Sequence, residues 1–148
     1  MAVLDNLLDH WAGVRSTGPP RRDQDGRHYY VFDGEFEVAL SQLGDAIYLE
    51  TDLTDLPKRR DEAEAVLERL LKMQLARSGE EILAVKPDRD QLMLFGILRA
   101  DRIDLRGFET ALGRFVNAAA FWMKQLEPGA QPAVSVGAGP AAEQIFFP

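Results

Sequence analysis

Cysteine is absent from this 148-residue chain. That removes a disulfide scaffold, a thiol nucleophile and any thiolate metal site, and it suits a reducing compartment. Histidine is nearly absent too, with His10 and His28 the only two. No His-x-x-x-His or His-Glu-x-x-His spacing exists, so a histidine-built zinc site has no foundation, and no metal or other cofactor is expected. His10, beside Trp11, and His28, heading an apolar run, are expected as surface or edge residues. None of the four serines, Ser16, Ser41, Ser78 and Ser135, lies in a Gly-x-Ser-x-Gly elbow. Asp23-Gln24-Asp25-Gly26 shares part of the spacing of a calcium loop, but that alignment puts Arg21 and Phe32 where oxygen donors belong, so a tight turn is expected. Gly137-Ala138-Gly139 is followed by Pro140 and makes no phosphate cradle. Carboxylates are plentiful and leave a paired-acid site open, although most fall on polar helix faces.

Long hydrophobic runs are missing as well, so no segment is expected to span a bilayer. The first residues, Met1-Ala2-Val3-Leu4-Asp5, carry an acid where a signal peptide needs bases. Seventeen basic and 24 acidic residues leave a net charge of −7, which repels phosphate backbones. Arg21-Arg22 and Lys58-Arg59-Arg60 are each followed at once by acids, so nucleic acid is not an expected partner. A hydrophobic share of 46% over this length allows one domain with its own core. The expectation is a soluble intracellular protein without a membrane segment.

Val3, Leu4, Leu7, Leu8, Trp11 and Val14 repeat at helical spacing, and Ser16-Thr17-Gly18-Pro19-Pro20 stops that helix. Residues 21–26 read as a polar loop. The period then changes to two. Residues 27–33 (RHYYVFD) are β-branched and aromatic; Phe36, Val38 and Leu40 alternate with polar or small residues; and Ile47, Leu49 and Thr51 do the same after the Leu43-Gly44-Asp45 turn. Three antiparallel strands follow from this. Residues 60–77 contain no glycine or proline, with acids early and bases late, and predict a second helix. Its apolar arc, from Ala63 through Val66, Leu67, Leu70, Leu71, Met73 and Leu75, is wider than one core-facing stripe requires. Residues 81–86 and 91–100 flank the turn-rich Pro87-Asp88-Arg89-Asp90 and predict a second hairpin, with apolar groups on both faces of its second strand. Residues 104–126 form the longest helical pattern, with Asp104 as its cap. Residues 128–148 hold four prolines and three glycines and read as a tail after a domain over residues 1–127. The tail's Ile145-Phe146-Phe147-Pro148 is apolar and leaves two alternatives, docking onto the body or a partner and a loose end. The order is helix, three strands, helix, two strands, helix. That is an α+β domain with helices packed against a mostly antiparallel sheet.

From Phe32-Asp33 through the three strands, then Asp52-Leu53 with Leu56-Pro57, Leu67 with Leu70-Leu71, and Phe115 to Leu126 around Trp122, the chain resembles the Tir-chaperone family. These are the class I type III secretion chaperones of Gram-negative bacteria, associated with virulence. Where that family usually has Gly-Asn or Ala-Asn near the end of the second helix, this chain reads Lys72-Met73-Gln74-Leu75-Ala76. The resemblance implies a cytoplasmic homodimer without enzymatic activity. It would keep the N-terminal segment of a secreted effector soluble, extended and export-competent, with a secretion ATPase as a further partner. The effector is expected on Leu4, Leu7, Leu8 and Trp11 of the first helix and on Tyr30, Phe32, Phe36 and Val38 of the first strands. The competing assignment for these side chains is simply the core. The dimer contact is expected on Val66, Leu70, Met73 and Gln74 with Met93 and Phe95, because the second helix has apolar surface to spare. Two other functions share these bulk properties: a binding adaptor of the same fold outside secretion, and a small hydrolase, which requires a concave pocket of convergent carboxylates or a histidine.

Overall fold

The computed structural model describes residues 3–15, 21–32, 36–77, 79–86 and 88–126. The expected tail, with its Ile145-Phe146-Phe147 patch, lies outside the described residues.

Alternation of period two carries one set of side chains to each side of a sheet, and the sheet forms where one of those sides is apolar. Six strands do this: β1 (Arg21–Arg22), β2 (His28–Phe32), β3 (Phe36–Leu43), β4 (Ala46–Asp55), β5 (Ile82–Val85) and β6 (Gln91–Arg99). Their order is β1-β2-β3-β4-β6-β5 with every pairing antiparallel. The helices are α1 (Val3–Arg15), α2 (Arg60–Ala76) and α3 (Leu105–Gln125). The α+β order read from the sequence is therefore present. One element differs: Arg21-Arg22, expected in a loop, is a short edge strand paired with Tyr29 and His28. Two charged residues carry no alternation that could announce a strand.

Tyr30, Val38, Leu40, Ile47, Leu49, Leu92 and Leu94 point to one side and are buried with Phe108, Leu112, Phe115, Ala119 and Trp122 of α3. Leu4, Leu7, Leu8 and Trp11 of α1 and Leu70 and Met73 of α2 complete this core. α2 meets the sheet at β5, while α1 lies against α3. Asp104 caps α3 by accepting the Gly107 N–H at 2.7 Å. On the other side of the sheet, Arg27 pairs with Glu50 and Lys86 with Asp52. Those pairs flank Ala39 and Met93, which explains why both are buried without a helix on that side.

Two glycines show why this sheet folds as it does. Gly96 lies on the core side of β6, where an added Cβ would come within 3.2 Å of the Phe115 ring and 3.8 Å of Leu49. Gly26 has φ +82° and ends the β1–β2 turn, a conformation side chains disfavour. That turn is organised by Asp23. Its carboxylate accepts the Tyr29 hydroxyl at 2.7 Å and the backbone N–H groups of Arg27 at 2.9 Å and Asp25 at 3.0 Å. The tight turn expected at residues 23–26 is present.

Two outcomes follow. Gly96→Val should destabilise the fold by about 1–3 kcal/mol, because Phe115 is buried and has nowhere to move; the shift in urea midpoint measures it. The hydrogen bond from Tyr29, then that from the Arg27 amide, lowers the Asp23 pKa below its ordinary 3.8. A carboxyl whose folded pKa is depressed contributes stability above its unfolded pKa and loses that contribution as pH falls through the folded value. Asp23→Ala should therefore be less stable than the native chain at neutral pH, with the gap closing in acid. Denaturation midpoints measured from neutral pH into the acid range test this, and a gap that is constant across pH refutes it.

Candidate functional site

α1 closes over the first strands by aromatic packing. Trp11 meets the Tyr30 ring edge-on, with centroids 4.8 Å apart, and tilts against Phe32 at 6.1 Å. Two polar contacts fasten the same seam: the Leu4 N–H donates to Gln42 Oε1 at 2.9 Å, and His28 Nε2 sits 3.0 Å from Asp5 Oδ1. Of the residues expected to hold an effector, Leu4, Leu7, Leu8, Trp11, Tyr30 and Val38 are buried in this chain's own core, and Phe32 is half-buried. Phe36 pairs with Phe32 across the hairpin, and its side chain lies outside the described residues. His28, expected at the surface or an edge, is buried at the edge of the sheet beneath Asp5. A strand-end position does not reveal that a helix will cover it. His10 is exposed and contacts the Asn6 carbonyl at 2.8 Å.

The seam is imperfectly satisfied. His28 Nδ1 and Tyr30 Oη are both buried with no hydrogen-bond partner among the described residues. Burial raises the Tyr30 pKa, and the nearby Asp9 charge adds to it, so the phenol stays protonated at neutral pH. A buried donor without an acceptor costs about 1–3 kcal/mol. Beside this seam, β1 pairs only with His28 and Tyr29. The outer edge of β2 at Tyr30 and Val31 has no partner strand among the described residues. Val31, on that stretch, is 63% exposed.

The residues expected at a dimer contact divide differently. Leu70 and Met73 are buried in the core, Met93 is buried on the opposite face of the sheet, and Val66 and Gln74 are half-buried. The Gln74 side chain donates to the Glu81 carbonyl at 3.3 Å, and Phe95 stacks on Tyr48 with centroids 5.6 Å apart on that opposite face. Two neighbours on α2 are open to solvent instead. Leu75 is 88% and Leu71 56% exposed, one turn apart. The wide arc of α2 signalled spare apolar surface, but only the angle at which α2 packs decides that Leu71 and Leu75 carry it.

A third surface lies between α3 and β6. β5 pairs with residues 92–95 only, so from Gly96 onward β6 has no neighbour on that side among the described residues. A cleft of about 800 Å³ opens there, lined by Gly96, Leu98, Phe115 and Phe121, with Arg77, Arg114, Glu80 and Glu81 among its polar groups. Arg77 holds three elements together. It caps the end of α2, lies over the Phe121 ring at 4.2 Å, and pairs with Glu81 at 3.2 Å. Its sequence position marked it only as a base late in a helix.

Among the described residues no group of three or more His, Asp or Glu could hold a metal ion, and no helix is long and apolar enough to cross a membrane. The two histidines lie apart from the cleft, and Glu81 there is held by Arg77. The convergent polar pocket that a hydrolase needs is not assembled among these residues.

Comparison with known proteins follows the same lines. No curated protein sequence matches. Among solved structures, the fold is similar to that in the ExsC–ExsE complex, at TM-score 0.63 and 22% identity over 86% of this chain and 96% of the other. It is also similar to that in the ExoU–SpcU heterodimer of the type III secretion system of Pseudomonas aeruginosa, at 0.59 and 16% over 81% and 98%. The complex of the Yersinia pestis type III secretion chaperone SycH with a fragment of YscM2 gives 0.56 and 16% over 78% and 96%. The model of the Tir chaperone protein (CesT) family matches residues 23–123, most of the sheet together with α2 and nearly all of α3, and this chain belongs to that family.

Proposed function

We propose that this protein is a homodimeric class I type III secretion chaperone that holds the N-terminal segment of one secreted effector, extended and export-competent, in the bacterial cytoplasm. Membership of a chaperone family makes it a binding protein and not an enzyme. The observation that carries the client's position is the outer edge of β2 at Tyr30 and Val31, which no described strand covers, beside the α1 seam. An extended polypeptide can add main-chain hydrogen bonds there, and its apolar side chains can pack beside Val31. In this arrangement Leu4, Leu7, Leu8, Trp11, Tyr30 and Val38 form the floor of the site, Phe32 lies at its rim, and Phe36 belongs to the strand that follows. The unpaired Tyr30 and His28 atoms lie in the same seam, where a small opening of α1 would bring them to a client's backbone. The similar structures were solved as complexes of two different polypeptides, in one case a type III secretion chaperone with a fragment of another protein, which supports the reading.

The second copy belongs on α2. Exposed Leu71 and Leu75 cannot be covered by the chain's own sheet, and an isologous contact would bury both pairs at once. Half-buried Val66 and Gln74 would border that contact, over a base of Leu70 and Met73, while Met93 and Phe95 lie on the opposite face of the sheet and stand outside it. A secretion ATPase would then receive the loaded dimer.

Val31→Asp should leave folding within about 0.5 kcal/mol, as surface changes do, yet cut recovery of the effector in co-purification from the native cell; unchanged recovery refutes the β2 edge. The complex should have two chaperone chains to one effector by native mass spectrometry. Leu71→Glu combined with Leu75→Glu should halve the mass seen by light scattering while circular dichroism stays native. A dimer that survives both changes places the interface elsewhere.

A further inference from the structure

The cleft between α3 and the free stretch of β6 takes no part in the client or dimer assignments above. Gly96, Leu98, Phe115 and Phe121 form its apolar part beside the charged groups of Arg77, Glu80, Glu81 and Arg114, and its volume falls within the range of ordinary ligand sites. Apolar rings beside a strand edge that no described strand covers fit an extended peptide with apolar side chains. We propose that its occupant is this chain's own Ile145-Phe146-Phe147 segment, bound as an intramolecular ligand.

Two observations favour that segment. The first is proximity. Phe121, which lines the cleft, is five residues before Leu126, about 7.5 Å along a helix. Residues 127–148 therefore start next to the cleft, and a chain of that length spans roughly 25 Å on average. This gives an effective concentration on the order of millimolar. The second is composition. Ile145-Phe146-Phe147 is the largest apolar cluster in residues 127–148, and Pro140 and Pro148 bracket it, favouring an extended backbone. Docking this segment covers two phenylalanine rings and the free edge of β6 in one step. It keeps the edge from pairing with a neighbouring chain.

The absence of native cysteine makes the test direct. A nitroxide attached to full-length Gln144→Cys should broaden the amide signals of Gly96, Leu98, Ala118 and Phe121 in a magnetic-resonance spectrum. Mixing spin-labelled chains without isotope with isotope-labelled chains without a nitroxide should broaden none of them. In the variant Ile145→Ser/Phe146→Ser/Phe147→Ser, hydrogen exchange at residues 96–98 should quicken by about tenfold, as expected when a ligand at ten times its dissociation constant is removed. The tail substitutions leave the core untouched, and an unchanged circular dichroism spectrum confirms it. Broadening in the mixed sample would show the cleft filled by a second copy and overturn the proposal. So would exchange at residues 96–98 that is indifferent to the tail.

Discussion

Everything in this fold is arranged around the contact between α3 and the core side of β4 and β6. Phe108, Leu112, Phe115, Ala119 and Trp122 form one buried stripe, and a helix can approach a sheet that closely only where the sheet presents little bulk. Gly96 supplies that place: with no side chain, it lets the Phe115 ring sit against the β6 backbone beside Leu49. Glycine weakens a strand by itself, so its presence in the middle of the strand with the most apolar pattern is otherwise a contradiction. Once α3 is seated, α1 closes one side of it and the Arg77 junction the other. Arg77 lies over Phe121 and pairs with Glu81, binding the end of α2 and the start of β5 to the last turns of α3.

Most of this architecture was legible in the sequence because its signals are periodic. The change from helical spacing at Leu7, Leu8 and Trp11 to alternation at Phe36, Val38 and Leu40, and back after Pro57, marks each element where it lies. What periodicity cannot tell is which of two apolar groups is covered by a neighbour. Leu70 and Leu71 look equivalent in the sequence, yet one is fully buried and the other more than half exposed, because the packing angle of α2 separates them. Leu4 and Trp11 look like a surface stripe offered to a client, and in a single chain they are the core. The edge strand at Arg21-Arg22 was invisible because its pairing depends on a turn fixed by Asp23, a tertiary arrangement of one carboxylate and three donors.

The acidic charge gains meaning only in place. On the helix-free side of the sheet, Arg27–Glu50 and Lys86–Asp52 reach across an intervening strand. They shelter small or flexible side chains at Ala39 and Met93. Along α2 the charges are local, as in Arg60–Glu64 and Lys72–Glu68, both highly exposed; such pairs contribute little to stability. They keep the rim of α2 polar, so that its exposed leucines form a narrow strip and not a general hydrophobic face.

A protein that holds another chain must keep binding surface available without losing its own fold. The distribution of satisfied and unsatisfied groups shows how this one reconciles the two demands. Around α3 the packing is closed: the stripe is buried, the cap at Asp104 is made, and Gly96 is filled by Phe115. Under α1 it is less complete. Tyr30 and His28 each leave a buried polar atom unpaired among the described residues, and the polar fastening rests on Gln42 and Asp5. Unmet hydrogen bonds lower the cost of opening a seam, because exposure to water or to a peptide backbone returns what burial had taken. Local opening is therefore cheapest at α1, beside the outer edge of β2, and dearest at α3. The fold can yield at the α1 seam while the side that defines the domain stays shut.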